Sequence, residues 1–335
     1  MPSFFPEREQ VYQNLLFRWY SSCTAGGSKN IPPAEPWRCH FENDPKTPTV
    51  FTFFETTTST WQYVVTDLKT REAVIIDPVL DYDPASGKVS TQTADGLLSF
   101  IQSKGLRVTK ILETHAHADH LTASQYLKKQ LGGNVPIGIG SRITQVQQTF
   151  APKYGFDDPA LLDGAFDLYL KDDETISLGG YTGQVVHLPG HTPDHVGYVF
   201  GEAIFTGDSI FNPDVGTARA DFPGGNASDL YNSMQRLLAY PSHYRLFAGH
   251  DYPPTTTREN QTCSSTIGEQ RSLNIHCKEG TPPEQFIAWR KERDAKLGAP
   301  RLLHPSLQVN IRAGMLPPPD EKGRVWMKTP VSTST

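Results

Sequence analysis

The stretch Thr114-His115-Ala116-His117-Ala118-Asp119-His120 decides how the rest of this chain is read. Three imidazoles and a carboxylate fall within it, directly after the strand-like run Val108 to Leu112. Neutral imidazole is the commonest metal-ligand side chain near neutral pH, and alternating His residues at a strand end point into one small volume. The competing explanation is a His cluster on a solvated loop. It weakens because matching ligands recur downstream.

Of the eleven His residues, seven sit in three windows: 115/117/120, 187/191/195 and 250. In His187-Leu188-Pro189-Gly190-His191, the Pro and Gly make a tight turn that presents one imidazole at a strand end. The apolar run ending Phe205-Thr206-Gly207-Asp208 delivers a carboxylate after Gly, so Asp208 is the expected third ligand rather than a turn residue. Asp77, after the apolar strand Ala73 to Ile76, reads instead as a turn or supporting carboxylate that holds the ligand loop. His195 and Asp194 are expected to orient His191 or its loop.

The bulk numbers set the frame. With 335 residues, 37% of them hydrophobic, and Gly 27 besides, the chain can bury a sizeable core, and Pro 27 points to many loops. A net charge of −5 without blocks of like charge gives no footprint for nucleic acid or an anionic membrane, and no apolar run is long enough to span a bilayer. Cys23, Cys39, Cys263 and Cys277 lie far apart without a CxxC pair, which fits free thiols in a reducing compartment. The segment Trp19-Tyr20-Ser21-Ser22 has some likeness to a mitochondrial processing site, but Glu7 and Glu9 argue against a transit peptide. A soluble intracellular protein is expected, with the mitochondrial matrix and the cytoplasm both open and a homodimer compatible.

Along the chain, residues 1–48 read as an N-terminal extension. Val50 to Glu55 and Trp61 to Thr66 form a hairpin pattern, and Ala94 to Gly105 is amphipathic at helical spacing. Leu230, Met234, Leu237 and Leu238 form another helical stripe, with Asn226 or Ser228 as N-cap. A helix around Gln285 to Leu297 and a strand at Leu307 to Ile311 follow, and the tail from Pro317 is Pro/Ser/Thr-rich and expected to be loose. Strands before helices, twice over, predict an α/β fold: two mixed β-sheets sandwiched by helices, αββα. The expected layout is a catalytic domain at 49–255 and a C-terminal appendix at 256–335 packing on it.

Asp77, the HxHxDH run at 115–120, His191, Asp208 and His250, in this order, resemble the metallo-β-lactamase superfamily. The resemblance implies the αββα sandwich with a metal site at one edge of the two sheets. It also implies two occupancies. Two zinc ions would use His115, His117 and His191 on one, Asp119, His120 and His250 on the other, with Asp208 bridging. That is the hydrolytic arrangement of a glyoxalase II-like thioester hydrolase. A single Fe(II) would instead use His115, His191 and Asp208, the two-imidazole, one-carboxylate set of non-haem oxygenases.

Residues outside the ligand set point to the second. Thr114 to Leu121, Arg219-Ala220-Asp221-Phe222, Gly249-His250-Asp251-Tyr252, Ser265 to Asn274 and Asn310 to Gly314 look most like the persulfide dioxygenase branch. Glyoxalase II would carry HEYT where this chain has His250-Asp251-Tyr252-Pro253. The form Gly216 to Gly225 and the ending Met315 to Pro319 look like a larger bacterial-type subgroup. The Asp208-to-Arg219 spacing is longer than in the human-like branch, and Ala116 stands where that branch has Cys.

The implied activity is oxidation of glutathione persulfide by O₂ to sulfite and glutathione, in sulfide metabolism. His117, Asp119, His120 and His250 would then support the iron site, with Asp119 and Tyr252 in catalytic roles. Arg219, Arg271, Arg312 and Tyr252 are the expected substrate contacts, because carboxylates take bidentate guanidinium partners.

Overall fold

The two halves of the hairpin pattern pair in register, Phe51 opposite Val64 and Phe53 opposite Gln62, in a computed structural model that describes residues 32–331 and 333. Cys23 and the segment Trp19 to Ser22 lie outside the described residues. In chain order the first strands are β1 (Arg38–His40), β2 (Thr49–Glu55), β3 (Thr60–Asp67) and β4 (Glu72–Ile76). There follow β5 (Val79–Asp83), β6 (Lys88–Ser90), β7 (Arg107–Leu112), β8 (Leu121–Thr122), β9 (Ile137–Gly140) and β10 (Leu168–Leu170). The second half holds β11 (Thr175–Leu178), β12 (Tyr181–His187), β13 (Val196–Phe200), β14 (Ala203–Gly207), β15 (Arg245–Ala248) and β16 (Ser264–Thr266).

One sheet runs β1-β2-β3-β4-β7-β9-β10, antiparallel through β4 and parallel beyond it. The other runs β11-β12-β13-β14-β15-β16, with β14 and β15 parallel. A small sheet, β6-β5-β8, sits beside the ligand loop. Alternation within each strand explains the layering. In β4, Val74 and Ile76 face the second sheet, where they meet Tyr198, Phe205 and Phe247, while Ala73 and Ile75 face outward onto helix Gln92–Ser103. Because both faces of β4 are covered, it reads as an unbroken apolar run. A one-residue slip would turn all of these side chains to the wrong layer. Each buried Val or Ile is worth about 1.5–3 kcal/mol, so the register is strongly fixed.

Helices Gln92–Ser103, Ser124–Gln130 and Ile143–Phe150 cover the outer face of the first sheet. Helix Ala227–Leu238 covers the second through Leu230, Met234 and Leu237, with Asn226 capping it by accepting from the Ser228 and Asp229 amides. The αββα sandwich is therefore the architecture of this chain.

Two expectations differ. Leu307 to Ile311 is not a strand: helix Leu303–Asn310 occupies it. Leu307, Val309 and Ile311 are buried, but so are Ser306, Gln308 and Asn310 between them, so the alternation carried no information about which side faces water. The tail after Pro317 is held through residue 328. Gln308 donates to Lys328 O at 2.8 Å and accepts from its amide at 2.8 Å, and Lys328 Nζ donates to Tyr154 O. The expected helix around Gln285 runs Pro283–Asp294. Cys39, Cys263 and Cys277 are free thiols, and no described helix is long and apolar enough to cross a membrane.

Candidate metal centre

Four strand ends converge on one edge of the sandwich. β7 hands over to the loop from Glu113 to His120, β12 to the turn carrying His191, β14 to Asp208 and β15 to His250. His115, His191 and Asp208 bring one ligand atom each within 4.8 Å of one another, all three buried. His117, Asp119, His120 and His250 form a second such group, and Asp77, Glu113 and His117 a third.

Backbone carbonyls choose the imidazole tautomers. Nδ1 of His191 lies 2.8 Å from Arg219 O, that of His120 3.2 Å from Leu121 O, and that of His250 3.1 Å from Ser59 O. A carbonyl only accepts, so each Nδ1 donates and Nε2 is left toward the centre. Nε2 of His115, Nε2 of His120 and Oδ1 of Asp208 are shut off from solvent without a hydrogen-bond partner. Buried orphans of this kind are costly unless something binds them, and two imidazoles with a carboxylate suit a divalent first-row metal. The residues therefore fit the metal that the fold implies.

The charge states agree with that. Burial and the surrounding imidazoles hold His115 well below its ordinary range, and burial with His117 lowers His120 to about 3, so both are neutral donors. Burial pushes the Asp208 carboxyl up, with His250 and His191 opposing. For His250 burial pulls down, but the Asp119 and Asp208 carboxylates outweigh it and raise the ring to about 9. His250 Nε2 accordingly sits 3.0 Å from Asp119 Oδ2 and 3.5 Å from Asp208 Oδ2.

The supporting groups are extensive. Asp77 accepts the Thr114 amide at 2.7 Å and its hydroxyl at 2.9 Å, and lies 3.1 Å from His117 Nε2, which is the supporting role expected of it. His195 closes the loop that carries His191, its carbonyl accepting the Leu188 amide at 2.9 Å as expected, and the side chains of His195 and Asp194 reach partners beyond that loop. His195 Nε2 accepts the Asp208 amide at 2.9 Å, and Asp194 Oδ2 accepts the Ala116 amide at 2.8 Å. His187 turns away, to Arg142 and Pro193 O.

A cavity of about 660 Å³ opens beside Asp119, His191 and Asp208. Tyr252 stands half-exposed at its edge, stacked on His250 with centroids 5.7 Å apart. Arg219 lines it too, but both arms of its fork are taken by Asp221. Arg271 and Arg312 are not in it, which corrects the sequence reading. Arg271 donates to the carbonyls of Leu238 and Tyr240, and Arg312 is buried against Phe156 and donates to the carbonyls of Leu161 and Leu316.

Sequence reasoning missed Glu113, whose carboxylate accepts from the Thr122 and Ser124 hydroxyls and faces His117 at 3.6 Å. It also missed Asn310, whose amide donates to His117 O and His120 O at 2.7 Å each. Glu113 was signalled only by adjacency to the His run, and Asn310 by nothing local.

Fold and centre together define a member of a metal-binding αββα family, and the chain belongs to the metallo-β-lactamase superfamily, whose model matches residues 56–250. It is 43% identical over 287 residues to a β-lactamase hydrolase-like protein of Xylella fastidiosa, covering 86% of this chain but only 65% of that protein's length. It is 42% identical to glyoxylase B2 of Dictyostelium discoideum, over 84% of this chain and 96% of that one. Identity to the human mitochondrial persulfide dioxygenase ETHE1 is 29%, over 79% of this chain and 88% of that protein. Among solved structures, ETHE1 from Myxococcus xanthus aligns with a TM-score of 0.63 at 27% identity, covering 79% of this chain and 99% of the other.

Proposed function

We propose that this protein is an iron-dependent persulfide dioxygenase, oxidising glutathione persulfide with O₂ to sulfite and glutathione. The observation that carries this reading is the separation of the three groups. His115, His191 and Asp208 bring one ligand atom each into one volume with no ion pair among them shorter than the 3.8 Å of His191 and Asp208, whereas His250 lies 3.0 Å from Asp119, and His117 3.1 Å from Asp77 and 3.6 Å from Glu113. That favours one metal on the first group, with the second and third groups neutralising each other around it. The likeness to two proteins named ETHE1 supports the same choice.

One Fe(II) on His115, His191 and Asp208 would supply open coordination positions and electrons for O₂ chemistry. The residues do the rest. Two neutral imidazoles and one carboxylate leave the centre net positive, which draws an anionic persulfide sulfur inward. The Arg219 carbonyl fixes His191, and His195 fixes the backbone at Asp208, so the ligand geometry precedes substrate. The proton of the His250–Asp119 pair is held on His250, with the Asp119 carboxylate on the cavity wall placed to orient it toward the reacting sulfur, and Tyr252 stands at the edge of the cavity beside it. Persulfide, O₂ and water give thiol, sulfite and two protons.

A di-zinc thioester hydrolase is the second reading. It is favoured by the gathering of His117, Asp119, His120 and His250 within 4.8 Å, and by the relative named glyoxylase B2. Metal analysis with an oxygen electrode tests the choice. One iron per chain and O₂ uptake with sulfite release are expected. Two zincs per chain and thioester hydrolysis under argon overturn the dioxygenase reading.

A further inference from the structure

The far wall of the active-site cavity is built by residues beyond the stretch that matches the family model, which ends at 250. This C-terminal segment is stapled to the loop after Asp208. Ile275 N donates to Pro213 O at 3.0 Å, Arg290 Nη1 to Ala218 O at 3.1 Å, and Ala220 N to Asp294 Oδ2 at 3.0 Å. Gly216, at φ +93°, makes room for it, since a Cβ there would lie 2.3 Å from the His276 ring. His276 in turn stacks on Trp289 with centroids 3.6 Å apart, which gives the wall a flat aromatic face.

Charge on this wall is unevenly compensated. Arg219 is neutralised by Asp221, and Arg290 by Asp294 at 2.5 Å. Arg293 and Arg301 line the same cavity, are exposed, and make no hydrogen bond or ion pair with any other described residue. The adjoining cavity of about 520 Å³ also reaches Arg301, but it carries Glu55, Asp81 and Asp83, which disfavour an acidic guest there. Two guanidinium forks without a hydrogen-bonded acid among the described residues, lining the same cavity as His191 and Asp208 and with only the charge of Asp83 acting on Arg301, fit a ligand that brings its own carboxylates.

We propose that Arg293 and Arg301 form the carboxylate-binding subsite of this cavity, so that the substrate is an acidic thiol carrier with its sulfur toward His191 and Asp208. This rests on the reading that the substrate is a thiol carrying the reacting group on its sulfur, which the dioxygenase and thioester hydrolase share. The aromatic face of His276 and Trp289 packs along the carrier's backbone between the two ends.

Isothermal titration of the full chain, metal-loaded, with glutathione and with its diethyl ester reads the subsite without turnover. Arg293→Ala and Arg301→Ala are each expected to weaken glutathione binding about fivefold, and the double variant tenfold or more. The ester is expected to bind the parent no better than glutathione binds the double variant. Equal affinity of parent and double variant overturns the proposal, as does an ester that binds as tightly as the acid. In turnover the double variant is expected to raise KM with kcat held. If no O₂ uptake ever occurs but glutathione binding still depends on the arginines, the subsite stands and the dioxygenase reading falls. O₂ uptake with a KM indifferent to both arginines keeps the reaction and removes the subsite.

Discussion

The imidazole of His195 accepts the backbone N–H of Asp208 at 2.9 Å, so a residue of the second His window fixes the carboxylate delivered by another strand. Burial and the His191 ring hold His195 well below its ordinary pKa, which keeps it the neutral acceptor this bond needs. His195→Ala strands a buried amide and loosens Asp208. Metal affinity is expected to fall about 10–100-fold, read as metal retained after dialysis against graded chelator. Retention equal to the parent's would show that Asp208 needs no such support.

Asp208→Ala and His120→Ala separate one metal from two. Asp208 belongs to the group of His115 and His191, and His120 to that of Asp119 and His250. Asp208→Ala is expected to empty the centre, while His120→Ala keeps most of the metal in elemental analysis. Equal losses would point to a dinuclear centre.

Gly249 leaves no space for a side chain: a Cβ there would lie 2.4 Å from Asp208 Oδ1. Backbone cannot give way easily at a strand end, so the carboxylate must move. Gly249→Ala is expected to lose metal while the far-ultraviolet circular dichroism is unchanged. A fully loaded variant would contradict the packing described.

Asn310 ties the C-terminal helix to the ligand loop. It donates to His117 O and His120 O and accepts the Thr122 amide at 2.9 Å. Asn310→Ala leaves three buried backbone groups without this partner, at a cost of about 3–5 kcal/mol. Urea unfolding of the metal-free variant is the measurement, and a midpoint shift worth less than about 1 kcal/mol would refute this accounting.

Acid should weaken the fold through His276 and His40. Burial first, then Arg290 and Arg293, lowers His276 to about 4. Burial, Arg245 and Arg38 do the same for His40. Both are neutral when folded, whereas the unfolded chain protonates near its ordinary pKa of about 6.5. The unfolded state therefore binds the extra protons. Stability from these groups is complete above about 6.5 and is lost as pH falls toward 4. Urea midpoints of metal-free protein between pH 7.5 and 5 are expected to fall less steeply for His276→Asn. Parallel slopes would remove His276 from the account.

Much of the fold was legible because β-strand alternation and helical stripes are local. Ala73 to Ile76 was legible as a strand from its unbroken apolar run, and Leu230, Met234 and Leu237 as the buried stripe of a helix. The segment Leu307 to Ile311 could not, since it is buried on every side and no face of it is marked by polarity. The three ligand windows were visible because each ends an apolar run with a His or Asp, and chemistry of that kind is concentrated in a few letters.

Partnership was not visible in the same way. An arginine has the same letters whether it serves carbonyls, as Arg271 and Arg312 do, grips an acid, as Arg219 does, or faces a cavity, as Arg293 and Arg301 do. The sequence by itself determined the sandwich, the order of the ligands and the residue types at the centre. Only the tertiary structure decided which imidazole leans on which carbonyl, which acids close onto His250 and His117, and which guanidinium groups are left for a ligand. The physical reason is that hydrogen bonds and ion pairs are set by distances of a few ångströms between segments far apart in the chain, and no local pattern encodes those distances.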